Sequence, residues 1–483
     1  MRNAPRILNV CQTDPLPGEL FSDLHLDKLL SKQTIAYLQN PCKESEILRR
    51  NDLFAALSQE GAATRLEQTL SLLSEAKRSL RLLNGTTLPL EKHYRQTEVI
   101  RSYLAACEAL ASLRCLDTRF GEVADFFSTE DRKATRLNMK RSLEKAEALR
   151  KDMRVSLLSL SDGDWLTPDY EAVSEWEHIA AAAHGLGFAT PQKKKQSIKP
   201  NAPLSEAICR LYADQVAKIE AELSQYDGID FYEPTSYIPE IQFLVEIHAL
   251  VRRASKLGLP SCFATVANTP TYTAKSLCDL SLLVKNATEI VPNDAHFTEQ
   301  EPFSFLIGAN GGGKTTYLRA VGINLVLFLG GCPIMAQKAE IFPFDSVLSH
   351  FPKDERFDRT GRLDEERKRT EEMFKKTENR HSFLLFNETF SGIDDKRGFA
   401  LLTDTVTTIQ NSRRFGLYVT HFHEVMSLEL PVLSAEVDTE DANKRTFRIT
   451  KAKGSASSYA SDILKKYRLD RESLAERREN HGN

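Results

Sequence analysis

The sequence predicts a helical first half followed by an α/β second half, and a change in hydrophobic periodicity is what predicts it. From about Glu60 to Gln225 apolar residues recur every three or four positions, the spacing of one buried helix face. One stripe runs Leu66, Leu70, Leu73 and Leu80, a second Met139, Leu143, Ala146, Leu149 and Met153, and a third Ile208, Tyr212, Val216, Ile219 and Leu223. Such stripes are packing surfaces and describe architecture. From about Thr265 the pattern turns to short β-type runs alternating with helical ones: EIVPND, FSFLIG, a helical run from Thr315 to Leu329, SFLLFNE and FGLYVT. Strands that alternate with helices predict a parallel sheet covered by helices.

Composition bounds the partners. The 483 residues carry a formal net charge of -3, with 41% hydrophobic and 27% charged residues, an ordinary balance for a globular protein. Bulk charge gives no attraction to phosphate, so a nucleic-acid contact needs a local basic stripe. The segment FATPQKKKQSIKPNAP, within a loop placed near 186–203, supplies one: prolines bracket Lys193, Lys194, Lys195 and Lys199 where helical periodicity stops. Short lysine runs are commonly just solvated surface. The N-terminus lacks the pattern of a secretory signal. The longest apolar stretch, Val321 to Met335, is interrupted and too short for a bilayer, so the reading is cytoplasmic with no membrane partner. Eight cysteines are scattered without a C-x-x-C pair and read as reduced bystanders.

The sharpest signal is Gly308-Ala309-Asn310-Gly311-Gly312-Gly313-Lys314-Thr315, which fits G-x-x-x-x-G-K-[ST] between an apolar run and a helical one. Glycines let a backbone curl around phosphates with its N–H groups inward, and the following helix presents its positive end. Lys314 would neutralise the terminal phosphates. Thr315 would offer its hydroxyl to magnesium, with Thr316 beside it. The implied ligands are ATP and Mg2+.

Further on, Phe383-Leu384-Leu385-Phe386 is a buried-strand run ending in Asn387 and Glu388. In a phosphoryl-transfer site an Asp at the first of these positions holds magnesium and a Glu at the second orients the attacking water. Asn387 accepts a hydrogen bond but brings no charge, so slow hydrolysis is expected. Glu388 takes the general-base role and part of the metal shell. A third run, Leu417-Tyr418-Val419, leads into Thr420-His421-Phe422-His423-Glu424. Ligands of open α/β sheets bind at the C-terminal strand edge, which places His421 to sense a γ-phosphate.

These motifs, in this order, resemble the MutS family. The stretch VPND leading into GANGGGKTTYLRAVGINLVLFLGGCPIMAQKAEIFPFD resembles that family's run through its P-loop helix, with Ala336, Gln337, Lys338, Glu340, Ile341, Pro343 and Asp345 matching in place. THFHE resembles its T-H-x-x-E switch, and GSASSYASDILKKYRLDRESL its closing, dimer-forming helices. FSDLHLD and PCKESEILRRNDLFAAL look like the opening of its core domain, and QVAKIEAELSQYDGIDFY like its returning lever helix. The resemblance implies a helical core/lever domain over 1–263 and a P-loop NTPase domain of the ABC type over 264–483. It also implies a homodimer that uses ATP to open and close a clamp on DNA. Ile290 matches the position of an adenine-packing side chain, and Arg362 lies in the stretch that matches a trans-acting loop.

The departures are specific. The core-like pattern begins within the first few dozen residues, with no expected room for mismatch-binding and connector domains before it, and no nuclease-like domain is expected after the ATPase. Phe231-Tyr232-Glu233 matches the F-x-E wedge of mismatch readers but falls in the lever region. Asn387 replaces the family's Asp, and Leu363 its trans-acting serine. A second reading follows from Asn387: a scaffold, on RNA or ribosomes, that binds ATP as a conformational ligand with little or no hydrolysis. Transporter or chromosome-organising ATPases fit less well, since no LSGGQ precedes Asn387.

Overall fold

The computed structural model describes residues 4–9, 11–86, 88–151, 153, 155–160, 163–168, 202–285, 287, 290–352, 359–390, 395–410, 412–437 and 445–452, with backbone alone at 89, 155–160, 163–168, 202–204, 359–364, 395 and 437. These residues form two compact units. Met1–Ile7 and Glu60–Ile241 make the first; Leu8–Gln59 and Gln242–Asn483 make the second.

Three short helices open the chain within the second unit: α1 (Gly18–Asp23), α2 (Lys32–Leu38) and α3 (Glu44–Leu57). The first unit then runs through α4 (Ala62–Asn84), α5 (Pro89–Ser112), α6 (Thr118–Phe127) and α7 (Glu130–Lys151). A hairpin follows, β1 (Val155–Leu160) with β2 (Gly163–Pro168), and then α8 (Ala202–Leu211) and α9 (Ala213–Ser224). Of the predicted stripes, Leu66, Leu73 and Leu80 on α4 and Met139, Leu143 and Ala146 on α7 are buried, while Leu70 and Leu149 are half-buried. Two expectations change. Helix α7 stops at Lys151, and the antiparallel hairpin stands within a stretch expected to be one helix after another. The third stripe is shared by two helices, because Tyr212 leaves the helical region at φ -116°, ψ 40°.

Helix α10 (Ile238–Lys256) leads to β3 (Thr265–Val266), β4 (Tyr272–Leu277), β5 (Asn293–Phe297), β6 (Phe303–Ile307), α11 (Lys314–Leu329), β7 (Lys338–Ile341) and β8 (Ser346–His350). The remainder is α12 (Arg359–Lys376), β9 (Ser382–Asn387), α13 (Asp395–Gln410), β10 (Arg414–Val419), β11 (Val432–Val437) and β12 (Arg445–Lys451). The main sheet has the order β12-β11-β6-β10-β9-β8. Its strands are parallel from β11 to β8, as expected, and β12 is antiparallel at the edge. Each residue of β6 and β10 is buried, the near-continuous apolar pattern of strands covered on both faces. A second sheet, β3-β7-β4-β5, contains antiparallel pairs the sequence reading did not anticipate. Its β5 begins only at Asn293, after the EIVP of the expected strand, since Pro292 has no N–H to give a ladder.

On one face of the main sheet Phe303, Phe305, Leu384, Phe386 and Tyr418 pack with Met373 of α12 and Leu402, Val406 and Ile409 of α13. On the other lies α11, buried almost all round. A Cβ at Gly322 of α11 would come within 2.6 Å of Leu385 and 2.7 Å of Leu24, so this helix is seated tightly. Asn324, fully buried on α11, donates to the Cys278 carbonyl at 2.9 Å and accepts from the Met335 amide at 2.6 Å. The amide thereby fixes the helix against the segments that flank it.

Candidate functional site

The loop from Gly308 to Gly313 joins the end of β6 to the start of α11. Gly308, Gly311 and Gly313 have φ of 131°, 75° and 91°, conformations that side chains rarely adopt. A Cβ on Gly308 would lie 3.0 Å from the Ala435 methyl, and one on Gly312 2.9 Å from the Ala309 carbonyl. The loop is therefore closed to side chains at both positions. No side chain caps the N-terminus of α11, and the first-turn N–H groups of a helix need outside partners.

Lys314, 5% exposed, folds back over this loop. Its Nζ donates to the Gly308 carbonyl at 2.7 Å, the Ala309 carbonyl at 3.3 Å and Asn310 Oδ1 at 3.4 Å. Burial lowers the pKa of the amine, the Glu388 carboxylate opposes that shift, and the Arg445 guanidinium adds to it. The lysine thus feels both Glu388 and Arg445. Asn310 is exposed, and Thr315 and Thr316 are half-buried on the first turn.

Three neighbouring strands end at this loop. Val419 of β10 pairs with Leu306 of β6 and with Asn387 of β9, which brings the loop 308–313, Asn387-Glu388 and Thr420-His421 to one sheet edge. The Thr315 hydroxyl donates to Asn387 Oδ1 at 3.1 Å. Glu388 follows in a left-handed conformation, φ 51°, with its N–H bonded to the Val419 carbonyl at 2.8 Å. The bond and the turn carry Glu388 off the strand axis, half-buried. Thr420 donates its N–H to Leu306, and its hydroxyl accepts from Phe422 N at 3.1 Å. His421 is exposed, its ring 4.3 Å from that of Phe422.

The remaining expected site residues are placed less directly. Ile290 is half-buried just ahead of β5. That strand is tied to the site: Tyr317 of α11 donates to the Asp294 carbonyl at 2.8 Å, and the Asn293 amide bridges the Phe447 carbonyl and the Ile449 N–H of β12 at 3.0 and 2.7 Å. Arg362 lies in the backbone of α12, its side chain outside the described residues; Lys193, Lys194, Lys195, Lys199 and the closing segment 453–483 lie outside them altogether.

Residues of β11 and β12 enter the site without having been singled out. Ala435 closes the loop at Gly308 and Gly312. Phe447, 47% exposed and at φ 57°, sets a ring carbon 3.4 Å from where a Gly313 Cβ would stand. Neither carries a sequence motif. His423 was visible in THFHE. It is half-buried, and burial first, then the nearby charges of His421 and Lys314, lower its pKa, with Glu424 opposing.

The geometry suits a nucleotide polyphosphate. A glycine-rich loop, a buried lysine amine and an uncapped helix end are the groups such a ligand needs. Magnesium suits it too, because that ion is held by one or two protein oxygens together with phosphates rather than by a protein cage. Among the described residues there is no cluster of three His, Cys, Asp or Glu that could hold a metal without such help.

A helical region followed by this α/β unit is consistent with a P-loop, ABC-ATPase-like fold. The family model for MutS domain V matches residues 304–469, the stretch that holds the site. DNA mismatch repair protein MutS of Geobacillus sp. (strain WCH70) is 27% identical over 120 residues, 22% of this chain and 14% of the relative. DNA mismatch repair protein MSH6 of Saccharomyces cerevisiae is 30% identical over 137 residues, 25% of this chain and 11% of the relative. A longer alignment, to MutS of Geobacillus kaustophilus, is 27% identical over 288 residues, 54% of this chain and 29% of that protein. The chain is thus a distant relative of the MutS family through an ATPase-like domain, and these alignments span less than a third of each relative.

Proposed function

We propose that the chain is a MutS-like, ATP-dependent DNA-binding protein in which ATP hydrolysis opens and closes a dimeric clamp on DNA, in a repair- or recombination-related process. The observation that carries this reading is the Thr315–Asn387 hydrogen bond, which unites the P-loop helix with the strand end bearing Glu388. The core/lever part covers 1–263 and the ATPase part 264–483, with the C-terminal segment pairing two copies. The lysines at 193, 194, 195 and 199 are the proposed DNA contacts, and the location is cytoplasmic.

ATP with its magnesium would supply the scissile phosphoryl group and the charge that draws the leaving oxygens. The chain's own residues do the rest. Backbone N–H groups from Gly308 to Gly313, with Thr316, bind phosphate oxygens. Lys314 exchanges its bonds to the loop carbonyls for bonds to phosphate. The Thr315 hydroxyl, its proton held by Asn387, turns a lone pair toward the metal. Glu388 orients a water and accepts its proton, and His421 reports the γ-phosphate. Ile290 packs on the base, and Arg362 acts in trans.

The test is ATP turnover with and without duplex, mismatched, branched and single-stranded DNA at stated salt. Stimulation by one DNA structure is expected. Lys314→Ala should abolish nucleotide retention, whereas Glu388→Ala should bind and not turn over; unchanged hydrolysis in either variant removes that assignment. Asn387 favours a second reading, an ATP-switched scaffold, and tight ATP binding with negligible turnover throughout would select it.

A further inference from the structure

Immediately after Glu388 the backbone does something unusual. Glu388 and Phe390 both occupy the left-handed region, φ 51° and 65°, with Thr389 between them. Two such residues without the freedom of glycine cost of order 1 kcal/mol or more each and persist only when the surroundings enforce them. The enforcing bonds converge on Thr389 and its neighbours. Tyr418 Oη donates to the Thr389 carbonyl at 2.9 Å, and a Glu366 carboxylate oxygen of α12 accepts from the Phe390 amide at 2.8 Å. The Thr389 hydroxyl meets His350 Nδ1 at 3.0 Å.

His350 is the least expected member of this set. It ends β8, is fully buried, and its Nε2 makes no hydrogen bond among the described residues. In register it lies level with Phe386 of β9, which in turn pairs with Tyr418 of β10. Its ring stacks on Phe386 with centroids 6.1 Å apart, and Phe386 stacks on Tyr418 at 5.0 Å. An apolar ring would fill this position without a buried polar nitrogen to accommodate. What the imidazole offers and an apolar ring does not is the bond to Thr389. Burial pushes His350 down to about 4, aided by the Arg369 charge and opposed by the Glu366 backbone and Glu19. Its ring is therefore neutral at pH 7 and supplies geometry instead of charge.

We propose that His350 is a positioning residue for Glu388, acting through Thr389: it locks the turn that aims the carboxylate into the P-loop edge. The proposal rests on the reading of Glu388 as the group that activates water. It also links α12 to that carboxylate, because Glu366 holds the other side of the same turn.

The test compares Thr389→Val and His350→Phe, which delete the bond, with Thr389→Ser and His350→Asn, which keep a polar atom in its place. Amide hydrogen exchange reads the turn without nucleotide; steady-state kinetics read its consequence. In Thr389→Val and His350→Phe the Glu388 and Phe390 amides should exchange at least tenfold faster, with Leu384 and Leu385 unchanged. In the same variants kcat should fall at least tenfold at constant KM for ATP, and the Ser and Asn variants should recover both. Unchanged exchange at Glu388 and Phe390 in Thr389→Val overturns the proposal, as does a fall in kcat that Thr389→Ser fails to restore. A wild-type protein without turnover defeats the hydrolysis reading instead, and the exchange data still decide the lock.

Discussion

The Thr315 hydroxyl donates to Asn387 Oδ1 at 3.1 Å, joining the first turn of α11 to the last residue of β9. The acceptor is a neutral amide where a carboxylate would add charge and form a bond roughly twice as strong. Asn387→Asp should therefore raise magnesium affinity and kcat by about tenfold, equivalent to about 1.4 kcal/mol. A magnesium titration of ATP turnover checks this. Identical magnesium dependence in the two proteins would place Asn387 outside the metal shell.

Arg50 anchors the N-terminal helices to the far end of α11. Only 1% exposed, it donates to the Gly330 carbonyl at 2.9 Å, the Asn9 carbonyl at 2.8 Å and Glu46 at 3.2 Å. Its guanidinium lies 5.4 Å over the Phe243 ring. Removing one partner of a buried pair leaves the other charge uncompensated, at about 3–5 kcal/mol. Glu46 keeps the Asn9 amide at 3.0 Å and the Arg49 guanidinium at 3.7 Å, so the lower end of that range, about 3 kcal/mol, is expected for Arg50→Ala. Arg50→Lys should recover little, since a point charge cannot serve three acceptors in a fork. Urea unfolding measures both, and a near-complete rescue by lysine would refute the fork argument.

What was legible in the sequence was local. The glycine-rich loop 308–313, the strand before it and the helix after it form one contiguous stretch, and the composition of strands β6, β9 and β10 betrays burial on both faces. Asn387, Glu388 and His421 could be named because each follows an apolar run. The structure then brings them to one edge through strand order, which no local pattern encodes. Illegible were the contacts made by residues without a signature. Ala435 seals the loop merely by being small, and Phe447 stands beside Gly313 only because β12 returns antiparallel. His350 lies in SVLSHF, a run whose alternation gives no hint that its histidine faces Thr389. The helical stripes mark α4 and α7, whereas VSLLSL and GDWLTP of the hairpin have no strict polar–apolar alternation to mark them as strands.

Tight strand packing gives a further test. A Cβ at Gly416 of β10 would stand 2.3 Å from the Leu384 carbonyl and 3.0 Å from the Phe303 ring. Backbone cannot retreat as a side-chain end can, so Gly416→Ala should cost about 1–3 kcal/mol. Gly121, inside α6, has nothing within 4 Å of its own Cβ position. Gly121→Ala should gain about 0.5–1 kcal/mol from helix propensity. Thermal unfolding of both variants distinguishes the two mechanisms, and equal midpoints would show that the contact at Gly416 relaxes freely.

Asp279 predicts an unusual pH dependence. It is 3% exposed, and its carboxylate accepts from the Ser281 N–H and hydroxyl, both at 2.8 Å. Burial nevertheless pushes its pKa up to about 6, against the Ser281 bonds and the Arg319 and Lys285 charges. An acid whose pKa is higher folded than unfolded is protonated longer in the native state. Between about pH 4 and pH 6 the unfolded chain therefore holds fewer protons, and stability falls as pH rises through that window. Above it the cost is constant, about 2–3 kcal/mol. Asparagine can accept from the Ser281 N–H and donate to its hydroxyl without ionising, and Arg319 keeps its bond to the Asp23 carbonyl at 2.9 Å. Asp279→Asn should accordingly be more stable than the wild type by about 2 kcal/mol at pH 7, with the advantage vanishing toward pH 4. Unfolding midpoints at pH 4, 5, 6 and 7 check it; a gap independent of pH would trace the difference to packing around residue 279 and not to its charge.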